Sequence, residues 1–109
     1  DLILQKISKK YLKKGGYLII GTPDFDCAMA RRFGNKFRML HDKTHISLFT
    51  FESLCRLFIK LKLKMLDVHF PYFETEYFSK KEIMKIFNKD KSQYSPPFYG
   101  NVVNFILKK

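Results

Sequence analysis

The stretch Y-L-K-K-G-G-Y-L-I-I-G-T-P, residues 11–23, constrains the fold of this chain more than any other. Lys13 and Lys14 suit the negative end of a helix dipole, and Gly15-Gly16 stop that helix and turn the chain. Residues 17–20 then form an unbroken apolar run, the pattern of a strand buried on both faces, as in a parallel sheet covered by helices. Gly21-Thr22-Pro23 is expected to break the strand where a ligand can sit. Helix, glycine turn and buried strand in this order belong to an α/β sheet. In open α/β domains the loop that grips a phosphate or cofactor follows the first strand. Here the unit begins about ten residues into the chain, so the chain is expected to be the second half of a larger domain.

Flanking elements follow from periodicity and caps. Leu2, Leu4, Ile7 and Tyr11 fall on a helical stripe, which predicts an amphipathic helix over residues 1–13. Asp24 is expected to cap a short helix over residues 25–33, closed by Arg31-Arg32 before Gly34. Residues 35–45 read as a polar, irregular loop with two histidines, the segment best suited to carry function. Thr50 opens the next helix, with Glu52 in its first turn and Phe51, Leu54, Leu57, Phe58 and Leu61 as its apolar face. Residues 64–70 alternate, with Met65, Asp67 and His69 on one side and Leu66, Val68 and Phe70 on the other. His69, among apolar neighbours, is expected to be packed. Ser79 and Glu82 form a capping-box pattern ahead of Ile83, Met84, Ile86 and Phe87. A polar loop over residues 89–97 leads to a last strand over residues 101–107. The expected order is α-β-α-α-β-α-β in a single domain, residues 1–109.

At 109 residues, 46% hydrophobic and 17% aromatic, the chain has the material for a packed core. A formal charge of +11, from 21 basic against 10 acidic side chains, raises nucleic acid as a partner class. The basic residues are mostly lysines scattered over helices and turns, however, which reads as a solvated surface and makes nucleic acid the less favoured partner. Cys27 and Cys55 lie far apart without a C-x-x-C, which signals neither a zinc ribbon nor a redox dithiol. No apolar run approaches the roughly twenty residues of a membrane span, and no signal-peptide pattern is present. A reducing cytoplasm is the expected location.

Together, K-K-G-G-Y-L-I-I-G-T-P, F-D-C-A-M-A-R-R-F-G, H-I-S-L-F-T-F-E-S-L and the two later strands resemble the C-terminal half of class I S-adenosylmethionine-dependent methyltransferases. The nearest branch is that of small-molecule methyltransferases found beside sugar and surface-polysaccharide genes. The resemblance covers residues 2–108. Its most specific parts are L-x-x-G-G (Leu12, Gly15, Gly16) and the box H-x-S-x-[FY]-[TS]-x-E-S-L over residues 45–54; Lys14 stands where the family has proline. The resemblance implies a partial Rossmann-like α/β sheet of three strands with flanking helices. In it, residues 17–22 look like family strand five, 64–70 like strand six, and 101–107 like strand seven, antiparallel between them in the order 5-7-6. The glycine-rich loop and the acidic residue that hold S-adenosylmethionine would lie before Asp1, and no G-x-G-x-x-G occurs here. The cofactor therefore belongs to the complete enzyme, and this chain alone is expected neither to bind it nor to be active.

The same resemblance implies that Thr22, Pro23, Asp24, His41 and Asp42 face a small-molecule or sugar-type acceptor. His45 is the implied catalytic base, a role histidine suits near neutral pH. Two readings of His45 stand side by side: a base, or a side chain that hydrogen-bonds the loop to the following helix. For His41 simple exposure is the competing reading, and for Asp24 a helix cap. His41, Asp42 and His45 lack a third well-spaced ligand, so no metal is expected. Cut off from strands one to four, strand 17–22 would be an open edge. Its expected partner is a second copy of the chain or an N-terminal methyltransferase half. The alternative is a non-enzymatic interaction domain that binds a protein or an anionic polymer through its basic surface or open edge.

Overall fold

The computed structural model describes residues 2–87 and 93–109. Asp1, the first residue of the expected first helix, and residues 89–92 of the expected polar loop lie outside the described residues. Four helices and three strands follow in the order α1 (Leu2–Lys6), β1 (Tyr17–Pro23), α2 (Ala28–Phe33), α3 (Phe51–Lys60), β2 (Lys64–His69), α4 (Lys80–Met84) and β3 (Val102–Lys108).

The first helix continues as π-helix through Ile7–Tyr11, closed by the Leu12 amide on the Ile7 carbonyl at 2.9 Å. Wider π turns rotate the chain less per residue, which keeps Leu4 and Leu12, eight positions apart, against the same sheet core. The helix leaves carbonyls unpaired at its end, and Lys109 Nζ donates to two of them, those of Ser8 and Leu12. Gly15, at φ 79°, donates to the Lys109 carbonyl at 2.8 Å, so the glycine turn is tied to the end of β3.

The sheet has the order β1-β3-β2, and β3 runs antiparallel to both neighbours. β1 and β2 are therefore parallel to each other. Leu18, Ile20 and Thr22 pair with Leu107, Phe105 and Val103, all on one face. That face packs on α3 through Leu54 and Phe58, and Val103, Phe105 and Leu107 are fully buried there. Thr50 accepts from the Ser53 amide at 3.1 Å and Ser53 Oγ accepts from the Thr50 amide at 2.9 Å, the reciprocal capping box that starts α3.

Four expectations change here. β1 is not buried on both faces: Tyr17 is 63% and Ile19 71% exposed, because α1 and α3 lie on the same side of the sheet. For the same reason His69, paired with Asn104 on the uncovered face, is exposed and not packed. β1 also runs unbroken through Gly21 to Pro23; a Cβ at 21 would stand 2.7 Å from Asn104 Oδ1, so the Asn104 side chain lies over the glycine. Finally, a bulge between Met65 and Asp67 sets Met65 opposite Leu107 and Asp67 opposite Ile106. Met65 thus leaves the face of Asp67 and His69 and joins that of Val68, which simple alternation does not predict.

Candidate functional site

Because β1 and β2 are parallel and β3 opposes them, the ends of β1 and β2 and the start of β3 meet at one edge of the sheet. The loops over residues 24–50, 70–79 and 93–101 converge there. A second core supports them: Cys27, Met29, Phe37 and Ile86, joined by Phe25, Phe33 and Phe98. Phe37 is wholly buried in the segment expected to be irregular, flanked by the 3-10 turns Gly34–Lys36 and Arg38–His41. Ser95 ties the third loop to this segment, its amide donating to the Lys36 carbonyl at 2.9 Å and its Oγ accepting from the Arg38 amide at 3.0 Å.

Between the loops lies a cavity of about 260 Å³, with Arg38, Asp42 and His45 from the first loop, Tyr72 and Tyr77 from the second, and Asn101 from the third. A wider cleft of about 680 Å³ adjoins it and shares Arg38, Asp42 and Tyr77. Ligands of open α/β sheets bind beyond the carboxyl ends of the strands, where this cavity opens past β1 and β2.

His45 Nδ1 stands 2.8 Å from the Met39 carbonyl, which can only accept, so Nδ1 carries the proton. In the neutral ring Nε2 then keeps the lone pair that a base needs. Asp42 Oδ2 lies 3.9 Å from Nε2. Hydrogen bonds from the Thr44 hydroxyl and amide, at 2.7 and 2.9 Å, hold the Asp42 carboxyl below the usual carboxylate range. His41 reaches elsewhere, 2.7 Å from the Asn35 carbonyl and against Tyr94, in the adjoining cleft.

The three residues at the end of β1 stand apart from this lining. Thr22 lies on the core face of the strand, with Oγ1 turned to the Pro23 carbonyl at 3.4 Å. Pro23 is paired opposite Val102. Asp24 is buried, and its Oδ1 accepts from the amides of Asp26 at 3.0 Å and Phe51 at 3.1 Å. Asp24 therefore caps the first turn of α3, while Cys27 Sγ, accepting from the Ala30 amide at 3.5 Å, caps α2 in its place. Burial raises the pKa of the Cys27 thiol, and both cysteines are unpaired thiols.

Arg38, Tyr72, Tyr77 and Asn101 are site residues that sequence patterns did not single out. The run P-P-F-Y-G before β3 carried one signal, since two prolines and a glycine fix a turn at the sheet edge. Among the described residues no group of three or more His, Cys, Asp or Glu is placed to hold a metal ion, and no helix is long and apolar enough to cross a membrane. No family model matches the chain, and neither a curated protein nor a solved structure matches it at a significant level.

Proposed function

We propose that this chain is the acceptor-binding portion of a class I S-adenosylmethionine-dependent methyltransferase acting on a small-molecule or sugar-type acceptor. The observation that carries this reading is the strand order. β3, last in the chain, is inserted antiparallel between two mutually parallel strands, which is the 5-7-6 order that the motifs around Gly15-Gly16 and residues 45–54 imply. Mixed sheets of α/β proteins more usually carry their antiparallel strand at the edge.

The described residues do not fit the cofactor itself. Gly15, Gly34 and Gly100 have positive φ, and none of them lies in a turn from the end of a strand directly into a helix, where the glycine-rich cofactor loop of an open α/β sheet belongs. The part left to this chain is the acceptor side. There the cavity orients a hydroxyl or amine, and His45 Nε2, with Asp42 3.9 Å away, takes its proton. The chain alone is expected to leave S-adenosylmethionine unbound in isothermal titration, whereas the polypeptide expressed from its complete coding sequence is expected to bind it stoichiometrically. A complete polypeptide that binds none overturns the reading.

A second reading, a non-enzymatic interaction domain, draws on the uncovered sheet face. Tyr17, Ile19 and Ile106 are exposed there, and no strand among the described residues pairs with the outer edge of β1. Both readings expect association through that strand, with a second copy or with strands supplied by an N-terminal half. Sedimentation of the isolated chain should therefore show a species heavier than its 13.0 kDa, reverting to monomer in Ile19→Lys. A wild-type chain that stays monomeric at about 100 times the concentration at which a micromolar complex half-forms argues against a functional edge.

A further inference from the structure

One buried polar atom in the cavity lining stands without a partner. Tyr72 is 3% exposed, and among the described residues its hydroxyl has no hydrogen bond. Buried hydroxyls are nearly always satisfied, and one left alone calls for an explanation. The ring cannot swing to water, because Phe73, Phe78 and Phe98 pack around it at centroid distances of 5.1, 5.5 and 5.6 Å. Burial first, and then the charge of Glu82, raise its pKa, so the hydroxyl stays a protonated donor at neutral pH. Glu82 is itself paired with Lys85 at 2.6 Å.

A second donor lines the same cavity from another loop. Arg38 is half-buried and forms no ion pair among the described residues. Its backbone is fixed by the Ser95 hydroxyl and by fully buried Phe37 beside it, so the guanidinium starts from a rigid base. Asp42, the acid in the lining, is held through Oδ1 by the Thr44 amide and hydroxyl and makes no ion pair with Arg38 among the described residues. A planar guanidinium fork and a neutral hydroxyl donor together match a group with two or more acceptor oxygens.

We propose that the cavity is an oxyanion subsite in which Arg38 and Tyr72 receive the carboxylate or phosphate group of a small ligand. About 260 Å³ holds such a group with a short stem, and the adjoining cleft of about 680 Å³, which shares Arg38, takes the remainder. The net charge of +11 draws small anions toward the whole surface, and the two donors make one place specific. This deepens the acceptor-site reading and rests on it only for naming the ligand an acceptor, which would then be an acid or a phosphorylated compound.

The test is titration of the 109-residue chain at pH 7 and low ionic strength, with inorganic phosphate in one arm and malonate in the other, followed by calorimetry and by NMR of the tyrosine rings. Saturable one-site binding of either probe supports the subsite, and the tighter probe identifies the group. Arg38→Gln is expected to weaken it at least tenfold and Tyr72→Phe about fivefold, with Lys62→Gln, at the far end of the sheet, binding as the parent does. Tyr72→Phe should melt no lower than the parent, because it removes a group that has no partner. Absence of saturable binding, binding that both variants leave unchanged, or a lower melting temperature of Tyr72→Phe overturns the proposal. Neither arm contains S-adenosylmethionine, so a failure here leaves methyl transfer standing, and a failure of the complete polypeptide to bind that cofactor leaves the subsite standing.

Discussion

Phe105→Ala is expected to lower the unfolding free energy by about 3–5 kcal/mol, the largest loss for a single truncation in this chain. Phe105 sits at the middle of the central strand, paired with Ile20 on one side and Val68 on the other. It is fully buried, with the rings of Phe58 and Phe51 at centroid distances of 5.0 and 5.4 Å. Pairing on both sides of β3 holds the backbone in place, so the space left by the ring cannot collapse, and the cost of the cavity adds to the lost transfer energy. Against a total of about 5–15 kcal/mol for a typical domain, such a loss brings the chain close to unfolding. Urea denaturation measures it: the midpoint should fall sharply at unchanged slope, and Phe105→Leu should recover most of it. A loss under about 1 kcal/mol would mean that the sheet does not pack on α3 as described.

Asp24→Ala is expected to cost about 2–3 kcal/mol, although the side chain is small and belongs to a loop. One carboxylate oxygen serves two main-chain amides, those of Asp26 and Phe51, and the second lies in the first turn of α3, where the helix dipole favours negative charge. Its removal leaves those donors without their acceptor at a site that is 9% exposed. Asp24→Asn keeps an acceptor oxygen and should retain more than half of the stability. This pair also separates two roles for the residue. A ligand-binding Asp24 would lower acceptor affinity and leave the melting temperature alone, whereas a cap lowers the melting temperature in the absence of any ligand.

Much of the sheet was legible from residue order: Gly15-Gly16 stand before β1, alternation marks residues 64–70, and a polar loop over residues 89–97 leads to the last strand. α3 was legible from its cap and its apolar stripe alone. Reading failed where local pattern and tertiary position part company. Continuous apolar character in residues 17–20 predicts two covered faces, but coverage depends on which side the helices take, and no local rule states that. The Met65 to Asp67 bulge inserts one residue into a regular alternation and so reverses the face of everything on one side of it. In the site, His45 and Asp42 stood out because histidine and aspartate in a polar loop carry their chemistry openly. Tyr72 and Arg38 did not, since what marks them is, among the described residues, a buried hydroxyl without a hydrogen bond and a guanidinium without an ion pair, and only a folded chain shows either. Phe37, followed by Met39 and Leu40 in a short irregular stretch, has no regular period to announce that it anchors a second core.

That second core gives the molecule two separate ledgers of tolerance. The cluster of Cys27, Met29, Phe37 and Ile86 under the loops shares no residue with the cluster of Leu54, Phe58, Leu63, Val103, Phe105 and Leu107 under the sheet. Substitutions at Met39 or Phe98, which line the cavity and pack on the loop cluster, fall on a core that the sheet does not share. The three loops thus rest on a foundation of their own, and the sheet beneath them stands on another.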